Sequence, residues 1–374
     1  MYTNCNFGKQ PIPILETKLL MLRNNTPKVF LDYLHSFRGL SIILIVLLHS
    51  IYASFFMIGF DDSNSYLAIT TQVLLHGGTI FFAIISGLLF SNILKKRGYK
   101  NFYISKVKYV IVPYMLFTIV LTFFVFNYNV FNSGNYTEFI WAYLNLVLEN
   151  LIYGKVHYIY WYIPVLIFLY LVTPLLYFLQ KTNAFTKILF GIIIISPLFI
   201  SRTEMSFQTM VYFTGCYAFG MYIGDGLQMK LAYISKYKTL IISVVVLSTI
   251  VLFYLFLYEV NKLGMVYLRE SFFYIQKTAL ALLIIWLFKE LNKQPKWLGF
   301  VARDSFSIYF LQAPILALIG ILLSKMVYNL HLNPFYMIIL GFMICFITIV
   351  ISMLIVYVFR RVFGKKSRML IGSK

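Results

Sequence analysis

Apolar residues in this chain gather into long runs separated by short basic segments. Ten runs approach or reach the ~20 residues that carry an α-helix across a bilayer: residues 38–58, 72–94, 107–131, 157–179, 185–201, 207–225, 238–260, 269–288, 304–327 and 334–361. The run at 185–201 is short for a span. The stretch 137–153, TEFIWAYLNLVLENLIY, is amphipathic, with Asn145 and Glu149 among its apolar positions. It predicts an interfacial or re-entrant helix rather than another crossing. The pattern as a whole predicts an all-α, polytopic integral membrane protein of about ten transmembrane helices.

Composition agrees. The 374 residues are 61% hydrophobic and 12% charged, about half the charge of a soluble domain, which excludes a soluble multi-domain enzyme. A net charge of +20 would suit nucleic acid, but the basic residues are confined to loops and ends. Twenty-six of the 32 lysines and arginines fall on one set of ends and alternate loops; Lys155, Arg202, Lys262, Arg269 and Lys325 fall on the other, and Lys277 lies within a span. By the positive-inside bias both termini are cytoplasmic and the protein is multi-pass in the cell membrane. An eleventh span would break the alternation. The expected divisions are a cytoplasmic tail over 1–27, a membrane domain over 28–362 and a basic cytoplasmic tail over 363–374. Residues 1–27 lack the regions of a cleaved signal peptide, and Met21 is a second possible start. Cys5, Cys216 and Cys345 form neither a disulfide framework nor a metal-binding spacing. No Walker A, GxGxxG, GxSxG or HExxH sequence is present.

Within so apolar a chain, ionisable residues inside the runs stand out, because each is costly to bury in lipid. Arg38 opens the first run and His49 follows eleven residues later, roughly 16 Å along a helix and about half the depth of a ~30 Å hydrocarbon core. His49 reads either as a neutral imidazole bonded to a neighbouring helix or as a group that does chemistry. Its place behind Arg38 favours the second, with a phosphate-bearing donor reaching inward. Arg38 alone would read as a topology anchor. His76 lies about eight residues in from the outer face on the second, antiparallel span, at a depth like that of His49; it could share a substrate with His49 or bond a carbonyl or water. Lys277 is at similar depth, either snorkelling outward or facing a cavity. Lys95, Lys96, Arg97, Lys100, Lys106 and Lys108 precede Pro113 and suit anionic lipid headgroups or the phosphates of a donor. His157 and Trp161 sit where aromatics usually form an interfacial belt, although they could also stack on a sugar.

These segments together resemble the membrane-bound acyltransferase 3 family. The Arg-x10-His signature of that family matches Arg38 and His49. FFAIISG (Phe81, Phe82, Ser86, Gly87) resembles its Phe-Phe-x-x-Ser-Gly block with one extra residue. KVKYVIVPY resembles the basic stretch before its Ile-x-Pro-Tyr. Trp161, Tyr162, Leu166, Tyr170 and Pro174 resemble its Trp-Tyr/Phe block, and DSFSIYFLQ resembles its late Asn-Ser-x-x-Ile-Tyr-x-x-His block. The likeness runs over 29–361. It implies an O-acyltransferase that uses acyl-CoA, chiefly acetyl-CoA, as co-substrate with no permanently bound cofactor and no metal. The acceptor would be a hydroxyl of a surface glycan or lipid-linked sugar. His49 would be the catalytic base, its pKa being suited to proton transfer near neutrality. Arg38, Lys106 and Lys108 would hold coenzyme A phosphates. His76, Trp161 and Lys277 would face the acceptor. Membrane lipids are further partners; nucleic acid is not.

The chain departs from the family in several places. Gln312 stands where many relatives carry His and cannot serve as acid or base. Lys106 and Lys108 replace commoner arginines, which weakens bidentate phosphate contact. His157 lies four residues before Trp161, farther than relatives often place a His. No SGNH-type esterase domain follows the last run, so the chain resembles the stand-alone subfamily that includes the intercellular-adhesin acyltransferases. Such proteins have also been described as exporters, and a polysaccharide exporter or flippase is the competing expectation. A transporter of this size should show paired broken helices in corresponding halves, and no such symmetry is visible in the sequence.

The charge bias generates a direct test. In intact cells, cysteines introduced near Lys96 and Lys374 should resist an impermeant thiol reagent, and one near Asp62 should react. Labelling at Lys96 would overturn the orientation.

Overall fold

In the computed structural model the backbone is described for residues 14–57, 66–92, 98–126, 136–202, 205–264, 266–291, 293–327 and 333–372. Asp62, Lys95, Lys96, Arg97, His331 and Lys374 lie outside these residues. The helices in chain order are α1 (Ile14–Met57), α2 (Tyr66–Leu75), α3 (Gly78–Asn92), α4 (Tyr99–Lys106), α5 (Val112–Val125), α6 (Tyr136–Tyr153), α7 (Tyr162–Lys181), α8 (Ala184–Ile195), α9 (Phe207–Gly224), α10 (Leu227–Lys236) and α11 (Lys238–Leu257). A two-residue antiparallel ribbon, β1 (Lys262–Leu263) and β2 (Val266–Tyr267), leads into α12 (Leu268–Glu290), α13 (Lys296–Arg303), α14 (Ser305–Val327), α15 (Pro334–Phe363) and the short α16 (Ser367–Ile371). α1 begins at Ile14, so part of the expected N-terminal tail is helical.

Eight segments of the described residues are long and apolar enough to cross a membrane: Asp32–Phe55, Tyr66–Asn92, Tyr99–Val125, Tyr162–Lys181, Lys238–Leu257, Leu268–Glu290, Ser305–Leu323 and Pro334–Ile371. The protein is thus all-α and polytopic. The runs expected at 185–201 and 207–225 are helical but are not among the eight. α8 has 12 residues, about 18 Å. α9 has 18 residues but intersperses Gln, Thr, Gly and Tyr with its apolar positions. The amphipathic stretch is the single helix α6, which is not among the eight. It leaves Trp141, Leu148 and Ile152 exposed and buries Asn150 against α5. There Asn150 Nδ2 donates to Thr122 Oγ1 at 3.0 Å, and the Tyr114 hydroxyl lies 2.9 Å from the Leu151 carbonyl.

Local chemistry starts and bends these helices. Asn183 and Thr186 form a reciprocal capping box at α8, and the Ser206 hydroxyl accepts from the Thr209 N–H at α9, each satisfying backbone donors that a helix end leaves unpaired. A π-helical turn over Val107–Ile111 joins α4 to α5, with Pro113 in the first turn of α5. The ring cannot donate to the preceding turn, and the widened turn accommodates it.

α1 packs against α3, α12, α13, α14 and α15, and α3 packs most extensively against α9. At the α3–α9 contact the two backbones touch: a Cβ on Gly220 would overlap the Ile84 carbonyl oxygen, and one on Gly87 would overlap that of Tyr217. Small residues that admit close backbone approach are a recurrent solution for helix pairs in lipid. Gly220→Val should therefore force α3 and α9 apart and cost about 1–3 kcal/mol or more, read as a lower thermal midpoint in detergent. Gly191→Ala should be neutral or stabilising, because no heavy atom lies within 4 Å of its Cβ position and Ala is the better helix former.

Candidate active site

The second span breaks at His76–Gly77. Gly77 has φ +85°, a left-handed conformation that glycine adopts without strain. The break ends α2 with unpaired carbonyls and begins α3 with unpaired N–H groups. The Lys277 ammonium, from α12, donates to the Leu74 carbonyl at 2.7 Å and lies 3.5 Å from that of Val73. Lys277 is 1% exposed, lies over the Phe273 ring of its own helix and is absent from the cavity lining described next.

The break opens onto a cavity of about 720 Å³ lined by His49, His76, Gly77–Thr79, Tyr158, Trp161, Arg202, Glu270 and Tyr309, among others. α1 brings His49 to this space and the α2–α3 break brings His76, so the two histidines paired by depth in the sequence do share one cavity. His49 Nδ1 lies 3.3 Å from the Gln312 amide oxygen. With the amide in this orientation its oxygen accepts, which puts the proton on Nδ1 and leaves a lone pair on Nε2. Gln312 is fully buried, and its amide nitrogen has no hydrogen-bond partner among the described residues. The Tyr158 ring meets the His49 ring edge-on, with centroids 5.7 Å apart.

The segment that carries Tyr158 and Trp161 is fastened to α14 at two points. The Tyr160 hydroxyl donates to the Phe310 carbonyl at 2.6 Å, and the Tyr309 hydroxyl donates to the Ile159 carbonyl. Trp161 also packs against Phe213 at 5.6 Å. His157 accepts from the Ile159 N–H at 3.3 Å through Nδ1. Burial pushes its pKa down to about 4, so it is neutral at physiological pH. His157 packs on the Tyr158 ring at 4.5 Å and does not itself line the cavity.

His76 is held from the far side by Arg202, whose Nη2 donates to His76 Nε2. Arg202 Nε also donates to Glu270 at 3.0 Å. The pair is largely buried, with side-chain exposures of 5% for Arg202 and 17% for Glu270. Burial alone would lower the Arg202 pKa, but the Glu270 carboxylate outweighs it and the net shift is upward. The guanidinium therefore stays charged. His76 and Glu270 also line a second cavity of about 610 Å³ with Gln72, Phe256, Glu259, Asn261, Arg269 and Phe273. The two residues thus stand between the two spaces. Glu259, on the wall of the second, has φ +54°, an unusual conformation for a non-glycine residue and one often met at functional sites.

At the start of α1 a different environment surrounds Arg38. Its guanidinium lies 4.8 Å above the Phe306 ring. Lys106 Nζ lies 4.2 Å above Tyr170, within electrostatic reach of Arg38. Lys108 is exposed on the π-helical turn, two residues on from Lys106. Of the proposed donor cations, then, the fold brings Arg38 and Lys106 together and leaves Lys108 outside. Sequence reading did not single out Arg202, Glu270, Tyr158 or Tyr309. Arg202 appeared there only as one of five loop cations on the minority side.

The Arg202–Glu270 pair carries a stability prediction. Glu270→Gln would leave a buried guanidinium unpaired, a change of the kind that costs about 3–5 kcal/mol and should lower the thermal midpoint sharply. Lys155→Ala, which breaks the half-exposed Lys155–Glu149 pair at 2.9 Å, should cost less than about 1 kcal/mol.

No curated protein and no solved structure shows a significant match to the chain. The acyltransferase domain family matches residues 31–358, a range that takes in His49, His76, Arg202, Glu270 and Gln312. The chain belongs to the acyltransferase 3 family, and the protein is a membrane-embedded acyltransferase of groups other than amino-acyl groups.

Proposed function

We propose that this enzyme moves an acyl group, chiefly acetyl, from acyl-CoA on the cytoplasmic side to a hydroxyl of a cell-surface polysaccharide or lipid-linked sugar. The observation that carries the reading is the His49–Gln312 contact at 3.3 Å, which leaves an unprotonated Nε2 on a residue lining the cavity. In this reading the acceptor hydroxyl gives its proton to His49 Nε2 as its oxygen attacks the thioester carbonyl. The tetrahedral intermediate collapses with loss of the coenzyme A thiolate, which takes the proton back from His49. The products are the sugar ester and free coenzyme A. Gln312 holds the Nδ1–H and so stabilises the imidazolium that forms. The N–H groups at the start of α3, beside Gly77–Thr79, are available for the developing oxyanion, a contribution often worth several kcal/mol when donors are preorganised.

Arg38 and Lys106 support donor binding at the opposite end of this path, about 16 Å of helix rise from His49. Trp161 and His76 support the acceptor side, as aromatic surface and polar wall. Lys277 contributes by holding the α2 terminus, which fixes His76. Ten crossings, with both termini cytoplasmic, require α8 and α9 to be counted as spans. The export reading finds a broken helix at His76–Gly77, the feature a transporter would need in matched pairs.

Mass spectrometry of surface glycan from cells with and without the protein tests the reaction. His49→Ala should reduce acylation by about 10²–10⁴-fold while the protein stays in the membrane. Gln312→Leu should lower kcat with little change in either KM. Arg38→Gln should raise the KM for acyl-CoA by roughly ten- to a hundred-fold and leave that for the acceptor alone. Full acylation by His49→Ala would sink the mechanism. Unchanged acyl content with lost glycan export would favour transport.

A further inference from the structure

The C-terminal turn is folded back under the bundle, and it brings a third cation to the Arg38 cluster. α16 docks through Ile371, which is 3% exposed and packs with Leu311, Ile315 and Val356. Gly372 closes the turn, its N–H donating to the Arg368 carbonyl at 3.1 Å. At Gly372 the chain lies against Phe306 and Tyr109. Phe306 is the ring beneath Arg38, and Tyr109 is the ring beneath Arg368, whose guanidinium carbon lies 3.6 Å from its centroid. Arg38, Lys106 and Arg368 are therefore drawn from three distant parts of the chain and lie within electrostatic reach of one another.

None of the three forms an ion pair with a carboxylate among the described residues. Asp304 is the acidic group nearest in effect to Arg38, but its two oxygens are occupied by Arg303 and Arg360. The cations lean instead on aromatic faces, which attract charge without neutralising it. Three like charges gathered by folding repel, and a multiply charged anion relieves that repulsion. Guanidinium forks match phosphate oxygens in pairs.

We propose that Arg368, delivered by the docked C-terminal turn, joins Arg38 and Lys106 in one site for the phosphate groups of the acyl donor. The inference rests on the donor reading above and adds to it a residue outside the matched family range. The chemistry recognised is a phosphate or pyrophosphate group, which both coenzyme A and an anionic lipid headgroup carry.

The full-length protein in detergent, titrated with coenzyme A by calorimetry, tests the proposal. Arg368→Gln should weaken binding by roughly ten- to a hundred-fold, the loss of a charge-assisted contact. Arg368→Lys should recover part of it, since it keeps the charge but not the fork. Lys366→Gln, at an exposed position of the same tail, should bind as wild type does. Thermal midpoints show whether each variant is folded; should Arg368→Gln fail to fold, Arg368→Lys carries the test, with weakened binding expected and wild-type binding contrary to it. Wild-type affinity in a folded Arg368→Gln protein would overturn the proposal while leaving the donor reading standing. An equal loss in Lys366→Gln would overturn it too, by reducing the effect to general tail charge. Loss of association with phosphatidylglycerol nanodiscs at unchanged coenzyme A affinity would assign Arg368 to lipid instead. No coenzyme A binding by the wild type would remove the donor reading and this proposal together.

Discussion

A helix broken inside an apolar bundle strands backbone groups that lipid cannot satisfy, and the arrangement around His76 follows from how this chain meets that cost. The carbonyls released at the end of α2 are met by the Lys277 ammonium. The start of α3, where N–H groups are released, lines a cavity at Gly77–Thr79. The imidazole at the break is fixed by Arg202, and Arg202 is fixed in turn by Glu270. Each polar group in this chain makes the next one necessary, which concentrates polarity in a protein that is otherwise 61% hydrophobic.

Two polar clusters lie at different levels of the bundle. At one level, aromatic rings carry cations from α1, α4 and α16. At the other, His49, His76 and the start of α3 surround a cavity roofed by the segment of Tyr158 and Trp161. α1 connects them: it holds Arg38 at the first level and His49 at the second. Its packing against α3, α12, α13, α14 and α15 fixes their separation, so the proposed donor, with its charged end at Arg38, would have its reactive end placed by the length of one helix.

The parts of this scheme readable in the sequence are those encoded along a single helix. The depth of His49 behind Arg38 is a matter of rise per residue, and the antiparallel order of the first two spans brings His76 to the same level. Partnerships between distant segments were not readable. Arg202 and Glu270 lie 68 residues apart, and nothing in a loop arginine's neighbours shows that it turns inward. Gln312 drew notice only as a missing histidine, whereas in the fold its carbonyl oxygen sets the tautomer of His49. Lys277 read as either snorkelling outward or facing a cavity; in the fold it is buried and caps α2 carbonyls that are free only because of the break at Gly77. Lys106 and Lys108 looked equivalent, and the π-helical turn that begins between them puts one beside Tyr170 and leaves the other exposed. Eight segments met the length and hydropathy of a span rather than ten, because α8 is short and α9 carries the small and polar residues that let it pack against α3.

The placement of Arg202 has a consequence for what can pass between the two spaces beside it. Cavities of about 720 and 610 Å³ share His76 and Glu270 as a common wall. The guanidinium of Arg202, on the lining of the larger one, is a fixed positive charge that raises the electrostatic barrier to small cations, as an arginine does at the constriction of a water channel. Neutral groups meet no such barrier. Uncharged molecules can therefore occupy a space from which hydronium and metal cations are discouraged.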